Sequence, residues 1–324
     1  MRIVYWAKLQ LAKKEIIAAL QAVPGAQLQV TTSLEETLAA LPGAQALALV
    51  HGPQDEARQV FAALRAHGNT VKWMHFISAG REGYEELGWP PGIAVSYAGG
   101  AVSPAVAEHA MALMLALARR VPDMLQVVMA RRAWDRTLVA PKARPLEGST
   151  LAIVGYGHIG RELARRARAF DMRVIAVARN PQPDPLLDQA LPLASLHAAL
   201  RQADFVAVCV ALTPETTHLL DDAAFAACKP GALVVNVARG PVLDQPALVR
   251  ALQSGHLGGA GVDVSDPEPL PSDDPLWDCP NLIVSPHFAG SGSPRSIARL
   301  AEGVADNLQR LMAGQPLQHV VSNG

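Results

Sequence analysis

Three glycines that follow a short apolar run place the strongest constraint on the fold of this chain. The segment reads Leu151-Ala152-Ile153-Val154-Gly155-Tyr156-Gly157-His158-Ile159-Gly160, and residues 161–170 continue it with helical periodicity. The glycines, spaced G-x-G-x-x-G, therefore occupy a predicted strand-to-helix turn. In such a turn the first glycine allows the bend, the second lets the backbone approach a pyrophosphate, and the third lets helix and strand pack closely. The stretch predicts a dinucleotide site at Gly155, Tyr156, Gly157, His158, Ile159 and Gly160.

The rest of the chain alternates apolar runs with amphipathic stretches, the pattern of parallel sheets covered by helices. A helix is predicted over 9–22, a long helix over 103–120, a proline-rich loop over 181–192 and a last helix over 294–312. With 324 residues, two domains are expected. The predicted fold class is α/β with two doubly wound parallel-sheet domains. A Rossmann NAD(P)-binding domain, residues 101–292, is inserted into a flavodoxin-like substrate-binding domain, residues 1–100 plus 293–324.

Composition argues against several classes of partner. The net charge of −1 favours neither nucleic acid nor an anionic membrane. The most apolar helix, 105–118, is too short to span a bilayer. The three cysteines are odd in number and widely spaced, so they indicate neither a disulfide framework nor a metal site. The N-terminus lacks the long apolar core of a signal peptide. We therefore expect a cytoplasmic protein.

The residue that follows the second strand of the predicted Rossmann domain indicates which cofactor is used. An acidic residue roughly twenty positions past the glycines would bind the ribose 2′-hydroxyl of NAD. Here that strand runs into Ala178, Arg179 and Asn180, without a carboxylate. A guanidinium binds a phosphate strongly, so Ala178 and Arg179 favour NADP(H) over NAD(H). The alternative is that Arg179 is a solvated loop residue that stacks on adenine.

A small-residue loop follows a predicted strand of the first domain, where open α/β sheets bind ligands. It consists of Ser78, Ala79 and Gly80, whose backbone N–H groups are accessible to a carboxylate. Ala79 and Gly80 are therefore candidate substrate-binding residues. A simple turn is an equally good interpretation of these residues alone.

Three polar side chains follow later strands of the second domain, and with them the chain resembles the D-isomer-specific 2-hydroxyacid dehydrogenase family. Arg239 lies just past one strand, Glu268 follows the next through Ser265-Asp266-Pro267, and His287 follows the last. The resemblance covers almost the whole chain. It includes the motifs Val106-Ala107-Glu108-His109, Leu212-Thr213-Pro214-Glu215-Thr216 and Pro275-Leu276-Trp277.

The resemblance implies a catalytic role for each of these three residues, and the chemistry agrees. Arg239 would bind the carboxylate and the carbonyl oxygen of a 2-keto acid, because its fork can grip both. His287 would act as the acid in reduction and the base in oxidation. Glu268 would hydrogen-bond the imidazole and fix its tautomer. Asp263 would reach the nicotinamide amide. Further residues are assigned to the cofactor cleft: Val210, Leu212, Thr213, Pro214, Val237, Ala238 and Gly290.

We therefore expect an enzyme that uses NADP, or alternatively NAD, to reduce a small 2-keto acid of the glyoxylate or hydroxypyruvate type. Ala79, Gly80 and Arg239 would hold the substrate carboxylate. Two other functions stay open: a nucleotide-sensing regulatory protein on the same fold, and a phosphite-type dehydrogenase. The family also implies a homodimer, in which Trp134 would approach the neighbouring subunit's site, although a core tryptophan is an equal alternative.

Overall fold

The computed structural model describes residues 1–8, 10, 12–81 and 83–321, which divide into two compact units. The first unit consists of Met1–Val102 and Gly292–Gly324, and the second of Ser103–Ser291. The second unit is therefore inserted between the two segments of the first. Across the described residues, no helix combines the length and the apolar character needed to cross a bilayer.

Most strands of the described chain are followed by a helix. The strands are β1 Arg2–Trp6, β2 Gln27–Thr31, β3 Ala46–Leu49, β4 Trp73–Phe76, β5 Ala94–Tyr97, β6 Thr150–Val154, β7 Arg173–Ala178, β8 Gln189–Pro192, β9 Phe205–Val208, β10 Leu233–Asn236, β11 Gly259–Val262 and β12 Leu282–Val284. The α-helices are α1 Lys13–Gln21, α2 Leu34–Ala40, α3 Gln54–Arg65, α4 Ser103–Ala118, α5 Val121–Asp123, α6 His158–Arg168, α7 Leu196–Leu200, α8 Asp222–Ala227, α9 Gln245–Gln253 and α10 Pro294–Met312. Leu9 and Leu11, which belong to the predicted helix 9–22, lie outside the described residues, and α1 begins at Lys13.

The first unit contains a five-stranded parallel sheet in the order β2-β1-β3-β4-β5, which is the flavodoxin-like order. Alternate residues of β1 face opposite sides of the sheet. Ile3 and Tyr5 pack in the core that α1 and α10 cover. Val4 and Trp6 pack in the core on the other face, together with Phe61 of α3. The prediction of a doubly wound parallel sheet is confirmed for this unit.

The second unit contains a seven-stranded parallel sheet in the order β12-β11-β10-β9-β6-β7-β8. Counted within the unit, this is the Rossmann order 3-2-1-4-5-6 with one further strand beside the last. The predicted Rossmann fold is therefore confirmed. All the strands run parallel. Their carboxyl ends consequently lie along one edge of the sheet, where the polar residues predicted from the sequence follow β7, β10, β11 and β12.

The prediction for the proline-rich stretch of the second unit is wrong at its C-terminal end. The sequence predicts a loop over the proline-rich stretch 181–192, but its last four residues form β8, which pairs in parallel with β7. The strand is only half-buried and lies at the edge of the sheet, so it lacks a strong apolar pattern. Pro192 is its last residue, and an edge strand tolerates proline because one side of it needs no N–H donor.

The long helix also ends earlier than predicted, at Ala118. Arg120 then adopts a left-handed conformation with φ of 58°, and α5 and a π-helical segment, Met124–Met129, follow. Trp134, which follows this segment, is fully exposed. The alternative that Trp134 is a core residue is therefore wrong for the unit as described.

Candidate active site

The strand-to-helix turn between β6 and α6 is held by close backbone packing. Gly155 has φ of +99°, and a Cβ there would lie 2.5 Å from the backbone nitrogen of Val210. At Gly160 a Cβ would overlap the carbonyl oxygen of Gly155. Gly157 differs, because a Cβ there would meet no atom within 4 Å. The first and third glycines are thus required by the protein's own packing, whereas the second leaves open space next to its backbone.

The start of α6 fits the pyrophosphate of a dinucleotide. Gly157 is the N-cap residue and has no side chain that could accept a hydrogen bond from the first turn. His158, the first residue of the helix, is exposed, and Ile159 is half-buried. The N–H groups of this turn and the positive end of the helix dipole favour an anion. The open space at Gly157 gives a phosphate room to approach them.

The loop after β7 presents a cation where the ribose of such a dinucleotide would lie. Ala178 ends β7 and is half-buried, and Arg179 follows it on the surface. An acidic group is close to Arg179. The pKa of Glu215 is lowered, chiefly by the hydrogen bond from the Thr213 hydroxyl and in smaller part by the charge of Arg179. The guanidinium is therefore near a carboxylate that would compete with a 2′-phosphate.

A cluster of polar side chains next to this loop is not among the residues predicted as a group from the sequence. Asp184 is 9 % exposed, and its Oδ2 lies 2.7 Å from the Arg161 guanidinium of α6. Burial and then the neighbouring Asp184 carboxylate raise the pKa of Tyr156 to about 12. These side chains, with Ala178 and Asn180, line a cavity of about 200 Å³. The cluster ties the glycine turn to the loop that carries Arg179. An Asp within a proline-rich stretch gave no signal for this role.

The turn after β9 packs against the glycine turn. Val210 provides the backbone atoms that exclude a side chain at Gly155. The hydroxyl of Thr216 accepts a hydrogen bond from the Thr213 backbone at 2.7 Å and donates one to the Ala211 carbonyl at 2.7 Å. Leu212 and Thr213 are half-buried, and Pro214 is exposed. This turn therefore has a fixed shape beside the predicted pyrophosphate site.

Arg239 follows β10 in a loop whose shape is set by Asn236. The Asn236 side chain is fully buried, accepts a hydrogen bond from the Ala238 N–H and donates one to the Arg239 carbonyl. Val237 and Ala238 are both buried. A Cβ at Gly240 would overlap the Ser265 carbonyl oxygen, so the loops after β10 and β11 touch. Arg239 is half-buried, and its Nη1 donates to the Ala238 carbonyl at 2.7 Å.

Glu268 and His287 form a close pair. The distance between Glu268 Oε1 and His287 Nδ1 is 2.5 Å, and each side chain is about two-fifths exposed. Since Glu268 follows β11 and His287 follows β12, the neighbouring strands bring together two residues that are 19 apart in sequence. A carboxylate on Nδ1 leaves Nε2 of the imidazole as the nitrogen that can exchange a proton with a ligand.

Asp263, predicted to contact the nicotinamide amide, is engaged with the loop that carries His287. The carboxylate is 2 % exposed and accepts hydrogen bonds from the Ser285 hydroxyl and from the N–H groups of Phe288 and Ala289. These three donors occupy both oxygens, so the structure gives Asp263 a positioning role. The predicted cofactor contact stays a prediction. Gly290, next in the chain, has open space where a Cβ would be.

The predicted substrate loop belongs to the first unit. Ser78 shapes it, because its hydroxyl donates to the Gly80 carbonyl at 2.8 Å. Ala79 is exposed and Gly80 is buried. The Arg81 guanidinium donates to the Ala79 carbonyl at 3.1 Å and lies over the Tyr97 ring. The loop is therefore an ordered structure, and its contact with a substrate stays a prediction.

Sequence reasoning missed three residues that shape the second unit's site: Asn236, Ser285 and Asp184. His109 enters the sequence analysis only within the motif Val106-Ala107-Glu108-His109, yet its Nε2 lies 2.9 Å from Ser285 Oγ. Ser285, Asp184 and His109 contact segments that are distant in sequence, whereas Asn236 contacts its own loop. Only Asn236, polar at the end of an apolar strand, carried a local signal that could have been followed.

Comparison with known proteins places this site in a family. The model of the D-isomer specific 2-hydroxyacid dehydrogenase NAD-binding domain matches residues 111–289. A glyoxylate reductase of Korarchaeum cryptofilum is 37% identical over 227 residues, which cover 69% of this chain and 68% of that protein. A glyoxylate/hydroxypyruvate reductase B of Citrobacter koseri is 38% identical over 220 residues, 67% of each chain. The crystal structure of a D-isomer specific 2-hydroxyacid dehydrogenase family protein from Aeromonas salmonicida matches with a TM-score of 0.83 and 28% identity, over 99% of this chain and 98% of that one.

Proposed function

The chain belongs to the D-isomer specific 2-hydroxyacid dehydrogenase family, oxidoreductases that act on the CH–OH group of 2-hydroxyacids, and we propose that it reduces a small 2-keto acid with NADPH. The substrate class is of the glyoxylate or hydroxypyruvate type, which the names of the relatives above support. NAD is the alternative cofactor.

The pair of His287 and Glu268 is the observation on which the proposal rests. Reduction of a ketone or aldehyde requires a proton donor for the oxygen that becomes the hydroxyl. Glu268, 2.5 Å from Nδ1, orients the imidazole, so that Nε2–H is the donor. The bound dinucleotide supplies the hydride. In the reverse direction, neutral His287 accepts the proton of the substrate hydroxyl.

Arg239 is proposed to bind the substrate carboxylate and to polarise the carbonyl. Its loop is fixed by the buried Asn236 side chain and by the contact of Gly240 with Ser265. A guanidinium held in this way can donate to both oxygens at once, which orients the keto group. We propose Ala79 and Gly80 as further carboxylate contacts through their backbone N–H groups.

The preference for NADPH rests on the end of β7. In Rossmann folds that bind NAD, an acidic residue at the end of this strand binds the ribose 2′-hydroxyl. Here Ala178 and Arg179 occupy that position. Arg179 is exposed and cationic, which suits the 2′-phosphate. The nearby Glu215 opposes this preference and would moderate it. The remaining proposed cofactor contacts are the turn residues from Gly155 to Gly160, the turn after β9, Val237 and Ala238, Asp263 and Gly290.

We also propose that the protein is a homodimer that assembles through the segment after α4, residues 121–134. Five large apolar side chains within this short segment are at least one-third exposed: Val121, Met124, Leu125, Met129 and Trp134. Exposed large apolar side chains concentrated in one segment are typical of a protein interface. Cytoplasmic location is part of the same proposal, since Cys209, Cys228 and Cys279 are all unpaired, which suits a reducing compartment.

Replacement of His287 tests the proposed chemistry. We expect His287→Ala to lower kcat for glyoxylate reduction by about 10²- to 10⁴-fold, because the proton donor is lost. NADPH binding, measured by fluorescence titration, should persist. His197→Ala, on the exposed surface of α7, is the matched control and should retain wild-type kcat. Wild-type turnover in His287→Ala would refute the acid/base assignment.

A further inference from the structure

Three polar side chains from distant parts of the second unit meet behind the His287 loop. His109 projects from α4, Asp263 follows β11, and Ser285 follows β12. His109 Nε2 lies 2.9 Å from Ser285 Oγ, and Ser285 Oγ lies 2.6 Å from Asp263 Oδ1. The side chains of His109 and Asp263 are 15% and 2% exposed. The three groups therefore form a chain of short hydrogen bonds in a mostly buried place.

The direction of these hydrogen bonds follows from the number of protons. Asp263 accepts from two backbone N–H groups in addition to Ser285, so its carboxylate is an acceptor. The single hydroxyl proton of Ser285 is therefore donated to Asp263. Ser285 Oγ can then only accept from His109, which requires a proton on Nε2. Nε2 is also 3.4 Å from Asp263 Oδ1, which favours the same tautomer.

Asp263 connects this chain of hydrogen bonds to the backbone around His287. The Asp263 carbonyl accepts from the His287 N–H at 2.8 Å, and the carboxylate accepts from Phe288 and Ala289 at 3.1 and 2.9 Å. His287 has φ of 49°, in the left-handed region that few non-glycine residues adopt. Hydrogen bonds on both sides of His287 hold it there, and in this conformation its Nδ1 reaches Glu268.

His109 also touches the loop directly. Its ring lies edge-on to the Phe288 ring, with centroids 4.7 Å apart. Phe288 is the residue after His287, so His109 contacts the loop both through Phe288 and through the relay of Ser285 and Asp263. Helix α4 contributes no residue to the proposed chemistry, but through His109 it fixes the loop that carries His287.

We propose that His109 is a positioning residue for the acid/base function of His287, acting through Ser285 and Asp263. This inference rests on the proposed function, because it assumes that His287 transfers the proton. His109 donates the hydrogen bond that orients Ser285. Ser285 in turn keeps Asp263 directed at the two N–H groups that follow His287. A displacement of the imidazole by about 1 Å would slow proton transfer strongly.

The test compares a variant that cannot donate with one that can. We expect His109→Leu to lower kcat by about tenfold or more, because the position of His287 is disturbed. The solvent deuterium isotope effect on kcat should increase, since proton transfer becomes rate-limiting. His109→Gln keeps an N–H donor near Nε2 and should recover most of kcat and the wild-type isotope effect. His197→Leu controls for loss of an imidazole elsewhere in the unit.

Ser285→Ala tests the relay if His109→Leu proves insoluble. It removes the middle hydroxyl and should lower kcat and raise the isotope effect in the same way, with melting temperature measured alongside. Equal kcat losses in His109→Leu and His109→Gln, without a change in isotope effect, would overturn the positioning role. So would wild-type kcat in a folded His109→Leu or Ser285→Ala variant. If instead His287→Ala keeps wild-type turnover, the proposed function itself fails, independently of His109.

Discussion

The glycine turn after β6 and the loop after β7 lie at the ends of neighbouring strands, yet they are built in different ways. In the glycine turn, the first and third glycines are fixed by contacts with Val210 and with the turn's own backbone. In the loop after β7, the residue proposed to choose the cofactor, Arg179, is an exposed side chain near Glu215. Backbone packing therefore determines the glycine turn, whereas an exposed charge distinguishes the loop after β7.

This difference separates two properties of the proposed cofactor site. Backbone N–H groups and a helix dipole bind any pyrophosphate, so the proposed site at the glycine turn would serve NADP and NAD equally. Discrimination between NADP and NAD depends on the phosphate group at the ribose 2′ position. Changes in the glycine turn should therefore alter stability or the affinity for both cofactors. Changes in the loop after β7 should alter only the ratio between them.

The largest expected effect is that of Gly155→Ala. The added Cβ would lie 2.5 Å from the Val210 nitrogen, at a residue with φ of +99°. Neither backbone can move without disturbing β6 or β9, so the free energy of unfolding should fall by about 3 kcal/mol or more. Urea denaturation followed by circular dichroism would measure it. Wild-type stability would show that the turn is not held by this contact.

Arg179→Asp should change cofactor preference without changing the fold. Loss of the guanidinium and gain of a carboxylate should lower the ratio of kcat/KM for NADPH to that for NADH by about tenfold to a hundredfold. Steady-state kinetics with each cofactor at a fixed keto-acid concentration would measure the ratio. Arg201→Asp, at a surface position after α7, is a charge-matched control. An unchanged ratio in Arg179→Asp would contradict the 2′-phosphate assignment.

Gly157→Ala sharpens the comparison, because a Cβ here meets no atom of the protein. Stability should stay at the wild-type value, in contrast to Gly155→Ala. The Kd values for NADPH and NADH should both rise by about tenfold, since the methyl group fills the space proposed for the pyrophosphate. Fluorescence titration with each cofactor would show it. A rise for one cofactor alone would place the discrimination in the turn.

The smallest effect is expected for Glu215→Gln. Removal of the exposed carboxylate near Arg179 should raise the affinity for NADPH by no more than about fivefold, the range of an exposed ion pair. The affinity for NADH should be unaffected. The gain should shrink as salt concentration rises, because exposed charges are screened. A weaker affinity for NADPH would mean that Glu215 assists the 2′-phosphate site.

The same contrast explains which parts of the structure could be predicted from the sequence. The parallel sheets and the glycine turn follow from apolar periodicity and from steric needs that are local in the chain. The edge strand β8 was missed because its half-buried residues and prolines resemble a loop. The ion pair of Arg161 with Asp184 and the relay from His109 to Asp263 join segments far apart in sequence. Such pairs have no local pattern, so only the folded structure reveals them.

The most direct test of the central proposal is a single spectrophotometric assay of the purified protein. Oxidation of NADPH and of NADH is followed at 340 nm with glyoxylate, hydroxypyruvate and larger 2-keto acids. We predict turnover with glyoxylate or hydroxypyruvate, with a higher kcat/KM for NADPH than for NADH. Absence of turnover with every keto acid, in a protein that binds NADPH, would contradict the proposed function.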